Sequence, residues 1–139
     1  MRLRTLLVSL ALAGALQACS GAPLARPAPL TELAGTTWRV VAINSRSTPS
    51  AGDYSMRFDA TGLGARFGCN SMGGQYRLVG DILTIGNLAS TLMGCPEPAA
   101  TFEREGAAVL AQPMRIAFTS NDRMFLTSSA GSISLDPQP

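Results

Sequence analysis

The sequence predicts a mainly β domain of the α+β kind: a small, partly open antiparallel β-barrel or curled sheet of seven to eight strands with one helix. Three observations predict it. Short stretches alternate apolar and polar residues, as strands with one buried face do. Clusters of Asn, Asp, Ser and Gly separate these stretches and supply turn chemistry. One stretch, Glu97 to Leu110, instead spaces its apolar residues as a helix does. Successive antiparallel strands joined by tight turns curl into a barrel or an open sheet.

Thr36 to Ile43 is the first strand, rich in β-branched residues and ending at the Asn44-Ser45 turn signal. Alternation turns Trp38 and Val40 to one side, with Arg39, Val41 and Ile43 on the other. Ser45 to Asp53 reads as a polar loop. Tyr54 to Phe58 points Tyr54, Met56 and Phe58 inward, and Asp59-Ala60-Thr61-Gly62 turns it back into Leu63 to Cys69. Gly73-Gly74 precedes the strand Gln75 to Val79, with Tyr76 and Leu78 on one face. Val79-Gly80-Asp81 turns into Ile82 to Ile85, and Asn87 to Met93 leads to Cys95. In the helix, Pro98 suits the first turn, Phe102, Gly106 or Ala107, Val109 and Leu110 form the apolar stripe, and Gln112-Pro113 stops it. Met114 to Thr119, Arg123 to Thr127 and Ser132 to Leu135 complete the strands.

The first nineteen residues carry a different message. Arg2 and Arg4 give a basic start, Leu6 to Leu16 is an apolar run, and Leu16-Gln17-Ala18-Cys19 closes it. That layout is a secretory signal peptide. The run falls short of the about twenty apolar residues a membrane-crossing helix needs. Its end resembles a bacterial lipobox, which implies that Cys19 is lipidated and becomes the first residue of the mature chain. An ordinary signal peptide cut elsewhere is the alternative. Ser20, standing where Asp would retain a lipoprotein in the inner membrane, implies an outer-membrane anchor with the domain facing the periplasm. Residues 1–18 are thus the leader, 19–29 a lipidated Pro/Ala-rich tether with three prolines, and 30–139 the domain.

Composition narrows the chemistry. Loss of Arg2 and Arg4 with the leader leaves nine basic side chains against nine acidic ones, and no basic run points to nucleic acid. The chain has no histidine. That removes imidazole bases, Ser-His and Cys-His pairs, and most transition-metal sites. Lysine is absent too, so Ser71, Ser90 and Thr91 have no Ser-x-x-Lys partner to activate them. Asp53, Asp59 and Asp81 fall at turns, and the Asp59 turn lacks a calcium-loop ligand series. No catalytic residue, cofactor or metal is expected.

With Cys19 taken by lipid, Cys69 and Cys95 remain as an even pair in an oxidising compartment. A disulfide between them would contribute on the order of 3 kcal/mol. Two reduced, buried thiols are the other reading. The Cys-x-x-Cys spacing of a redox-active pair is missing. Gly68, Asn70, Gly73 and Gly74 read as turn residues that tolerate positive φ, or, more sharply, as a ligand loop. Trp38 reads as a core anchor rather than a ligand platform.

These residues resemble the META domain, the module of the heat-shock-inducible lipoprotein HslJ. The family's opening Leu-x-Gly-x-x-Trp strand matches Leu33-Ala34-Gly35-Thr36-Thr37-Trp38. Its Gly-Cys-Asn signature and following Gly and aromatic strand match Gly68-Cys69-Asn70 with Gly73, Gly74 and Tyr76. Its Thr-x-Met-x-Cys segment and Pro-Glu stretch match Thr91-Leu92-Met93-Gly94-Cys95 and Pro96-Glu97, and a late apolar strand fits Phe125-Leu126-Thr127. The resemblance implies a partly open barrel with one helix. Gly35, Trp38, Gly68, Asn70, Gly74, Tyr76, Met93 and Pro96 would be structural motif residues. It carries no catalytic residues.

The leading functional expectation is a non-enzymatic envelope lipoprotein that binds another envelope component, in stress response or envelope integrity, through a loop end or an exposed sheet edge. A carrier of a small apolar ligand is the second reading, since a curled barrel can hold one if its interior is unfilled. A pilotin-like lipoprotein assisting secretion is the third.

Overall fold

The computed structural model describes residues 33–139. The leader, Cys19 and the tether lie outside the described residues. The elements are β1 (Thr36–Ile43), β2 (Arg46–Ser47), β3 (Asp53–Phe58), β4 (Gly62–Gly68), β5 (Ser71–Val79), β6 (Ile82–Ser90), α1 (Ala99–Leu110), β7 (Met114–Phe118), β8 (Met124–Ser128) and β9 (Gly131–Gln138). All strand pairs are antiparallel and follow chain order, and β9 returns to pair with β1. The ring of β1 and β3 to β9 is therefore a closed eight-stranded barrel, with β2 as an extra strand on β1.

The opening motif shows why the chain starts as it does. Gly35 takes a positive φ of 82° and donates its N–H to the Phe58 carbonyl at 2.7 Å. Thr36 Oγ1 donates to the Leu33 carbonyl at 2.6 Å and accepts from Trp38 Nε1 at 2.8 Å. Trp38 can thus be buried with its one polar atom satisfied. Its ring lies 6.0 Å from that of Phe118 inside the barrel.

One face assignment is corrected. Alternation places Ile43 outward, yet it is fully buried. Between Val40 and Ala42 the register with β9 slips, so that two steps on β1 match one on β9, from Leu135 to Ser134. A bulge of this kind adds one residue and reverses the side-chain parity beyond it. Thr48 serves the bulge: its N–H donates to Val41 O at 3.0 Å and its hydroxyl to Val40 O at 2.7 Å. Asn44 and Ser45 both have positive φ, as a two-residue hairpin turn requires, and this creates β2 inside the segment expected to be loop.

β5 and β6 are both longer than their alternation indicates. Ser71 to Gly74 and Gly86 to Ser90 have little β propensity, but they pair with each other around a second bulge, where Gly74 faces Asn87 and Leu88. A Cβ on Gly74 would stand 2.5 Å from the Gly86 carbonyl, so this close strand approach needs glycine.

Helix α1 begins two residues later than expected, after Pro98. It buries Phe102, Gly106, Val109 and Leu110, one stripe of a 3.6-residue repeat. It lies across the barrel end where β1 and β4 finish: Glu105 reaches Asn44 and Arg46, and Ala99 sits beside Gly68. Phe102 packs edge-on against Tyr54 with ring centroids 5.5 Å apart. The barrel interior is filled by Met56, Phe58, Phe67, Leu83, Met114, Met124, Leu126, Ile133 and Leu135, all fully buried.

Candidate functional site

The residues with the most unusual surroundings gather at the helix-covered end. β4 stops at Gly68, whose φ of 123° suits glycine and where a Cβ would meet that of Ala99 at 2.8 Å. Cys69 and Asn70 follow, and β5 starts at Ser71. Cys69 is joined to Cys95 by a disulfide, with Cα atoms 6.1 Å apart. The backbone of Asn70 does not take the positive φ expected of a turn residue. Its side chain does the work instead.

Asn70 is the buried polar side chain of the described residues, at 5% exposure. Its Oδ1 accepts from the Met93 N–H at 2.8 Å and from Thr91 Oγ1 at 2.7 Å. Its Nδ2 donates to the Met93 carbonyl at 3.1 Å and to Glu103 Oε2 at 2.9 Å. Thr91 ties the same loop to β5, with its N–H on Ser71 O at 3.0 Å and its hydroxyl oxygen accepting from Ser71 N at 3.1 Å. Glu103, on α1, accepts through Oε1 from the Cys69 N–H at 2.9 Å and from the Asn70 N–H. One carboxylate thus receives the donors that the strand-to-strand turn leaves over, and bonds to a charged acceptor are the stronger kind.

The segment Thr91–Cys95 is consequently held by a covalent bond at Cys95 and by an amide at Met93. Two large apolar side chains nonetheless face water. Leu92 is 95% exposed and Met93 58%. The nearby Tyr54 phenol is pushed above its ordinary value by burial first and by the Glu103 charge second.

The structure brings Gly68, Cys69, Asn70, Met93 and Cys95 together, with Pro96 just beyond. Gly35 and Trp38 lie apart at the start of β1. Gly74 lies at the β5–β6 bulge, and Tyr76 packs on Phe58 with its hydroxyl donating to Asp59 O at 3.1 Å. Glu103 was missed by sequence reasoning. It is one of three acidic residues between Glu97 and Glu105, and its partners are 33 and 34 positions away. Only its place beside the buried Phe102 on the helix hints at a role.

Chemically, the cluster is a clamp. Cys69, Cys95 and Glu103 bring possible ligand atoms within 4.8 Å of one another, but sulfurs bonded to each other offer no thiolate to a metal. Among the described residues no helix is long and apolar enough to cross a membrane.

A META domain family model matches residues 31–136. The chain belongs to the META domain family. Two solved structures share the META fold seen here. An NMR structure of a protein from Burkholderia xenovorans is 21% identical, covers 76% of this chain and 83% of its own, and has a TM-score of 0.65. A second NMR structure is 19% identical, covers 75% and 90% respectively, and has a TM-score of 0.66. At such identities the likeness is one of fold. A comparison with curated proteins finds no match.

Proposed function

We propose that this chain is a non-enzymatic, membrane-anchored envelope lipoprotein whose META domain binds another envelope component, in envelope integrity or stress response. The anchor would be acylated Cys19 in the outer membrane, with the domain in the periplasm. The observation that carries the binding role is the display of Leu92, 95% exposed between two residues whose backbones are tied down. A loop already fixed in place gives up little entropy when a partner covers it, and covering apolar area gains about 25 cal/mol per Å².

The chemistry of the cluster supports a binder over an enzyme. Its carboxylate is occupied by N–H donors, its sulfurs are bonded, and no base stands ready to activate a hydroxyl. The filled interior lends the carrier reading no support. A groove of about 400 Å³ beside Arg123, Phe125 and Asp136 lies on the outer wall of the barrel rather than inside it.

The test is an intact mass of protein purified from membranes without reductant, repeated after reduction and alkylation, with chemical crosslinking of whole envelopes. The expected result is a chain starting at acylated Cys19, two thiols released only on reduction, and a crosslinked envelope partner. An unlipidated chain in the soluble fraction, or an anchored one with no crosslinked neighbour, overturns the reading.

A further inference from the structure

On the side that faces β7, strand β6 is left largely unpaired. β6 meets β7 only at Ile82 and Leu83, opposite Arg115 and Met114. From Thr84 to Ser90 its backbone pairs with β5 and with no other described strand. Edges of this length are normally protected by charged residues, proline or bulges, because their free N–H and C=O groups template further pairing, and here the bulge at Asn87 is the one such device. The stretch Thr84-Ile85-Gly86-Asn87-Leu88-Ala89-Ser90 contains no charged residue and no proline. The edge runs directly into Thr91–Cys95, where Leu92 and Met93 are exposed on a clamped backbone. At the other end Thr84 pairs with Arg77, an exposed cation with no ion-pair partner among the described residues.

We infer that this edge, with Leu92 and Met93, is the docking site for an extended segment of a partner protein, apolar where it meets Leu92 and acidic where it comes within reach of the long Arg77 side chain, one strand behind the edge on β5. The inference rests on the binding role proposed above and names the surface and the partner's chemistry. Free main-chain groups call for another main chain, which is the strand-addition mode of recognition. Charge complementarity at Arg77 calls for an acidic residue, and the Leu92 end for an apolar one. From Thr84 to Leu92 an extended chain covers about 26 Å, so the segment has about eight residues. A second copy of this chain fits less well. Two β6 edges facing each other would each present the Asn87 bulge, with its positive φ, to the other, whereas a flexible segment can follow the local twist.

The experiment uses the full chain in its own cells, with a photo-crosslinking phenylalanine analogue replacing Gly86, Ala89 or Leu92 one at a time, and Thr127 on the outer face of β8 as control. A Cβ on Gly86 meets nothing closer than 4.0 Å, so that site accepts a side chain. The expected result is adducts on one protein, within one segment of about eight residues, in one consistent order from Leu92 to Gly86, as a single added strand of either direction demands. Arg77→Glu should lower the Gly86 adduct, and Leu92→Asp the Ala89 adduct, about tenfold, the loss of one anchor. Adducts no stronger than at Thr127, adducts without order, or adducts to lipid, to a second copy or to residues 1–32 of the same chain overturn it. The cells are fractionated in parallel. Protein in the membrane fraction without ordered adducts sinks the edge alone, whereas protein in the soluble fraction sinks the anchored reading.

Discussion

The side-chain amide of Asn70 binds both backbone groups of Met93, accepting from its N–H at 2.8 Å and donating to its carbonyl at 3.1 Å. In effect Asn70 replaces a strand partner for a loop that has none. Removing it leaves the Met93 N–H, the Thr91 hydroxyl and one Glu103 oxygen without their partners. A group so orphaned costs about 1–3 kcal/mol when shielded from water, and less at Thr91 and Met93, which are exposed residues that water can reach. Asn70→Ala is expected to lose about 3 kcal/mol. Asn70→Leu, which keeps the volume, should lose nearly as much. Urea unfolding gives the loss, and amide shifts confined to Thr91–Cys95 and the start of β5 locate it. Equal stability of Asn70→Leu and the parent would show the amide to be dispensable.

The Cys69–Cys95 bridge secures the same loop from its other end, joining residues 26 positions apart in the sequence. A closed loop of that size confines the unfolded chain by about 3.5 kcal/mol in the chain-entropy account. The Cys69→Ser, Cys95→Ser double variant should therefore unfold at a clearly lower urea concentration. Because bridge and amide hold one segment, their losses should not add when combined with Asn70→Ala. A combined loss equal to the sum would mean that the two act independently.

Gly106 sets two effects against each other. Replacing glycine by alanine inside a helix gains about 1 kcal/mol of propensity. Here, however, the new Cβ would lie 2.4 Å from two ring carbons of Phe67, which is fully buried and cannot retreat. Overpacking of this kind costs about 1–3 kcal/mol. Gly106→Ala is expected to destabilise the domain, and Phe67→Leu in the same chain should recover part of the loss. A gain in thermal midpoint for Gly106→Ala alone would show that the ring can shift.

Much of this was legible from local chemistry. The bounds of β1 follow from its β-branched run and the Asn44-Ser45 turn, and the helix stripe from its spacing, although only packing on Phe67 chooses Gly106 over Ala107. What escaped was set by neighbours. Ile43 turns inward because a bulge opposite β9 shifts its parity, and Ser71–Gly74 and Gly86–Ser90 are strands because they have each other. The cysteines announced the site. Asn70 was singled out for backbone geometry that Gly68 in fact provides, and Glu103 acts on a turn more than thirty positions away, a distance that no local pattern spans.

Tyr54 offers a titration that reports on the clamp. Burial, and to a lesser degree the Glu103 carboxylate, raises its phenol above 10.0 in the folded protein. The unfolded chain therefore releases this proton at lower pH than the folded one. The associated stability is complete below about pH 10, the unfolded value, and is lost as pH rises through the folded value. Tyr54→Phe should thus show a shallower alkaline fall in urea midpoint than the parent, while the two slopes agree near neutral pH. Glu103→Gln should narrow the alkaline window without abolishing it, since it removes the smaller cause; slopes rather than midpoints are compared, because the lost carboxylate also weakens the turn at Cys69 and Asn70. Identical alkaline slopes for Tyr54→Phe and the parent would mean that the phenol ionises as freely in the fold as outside it.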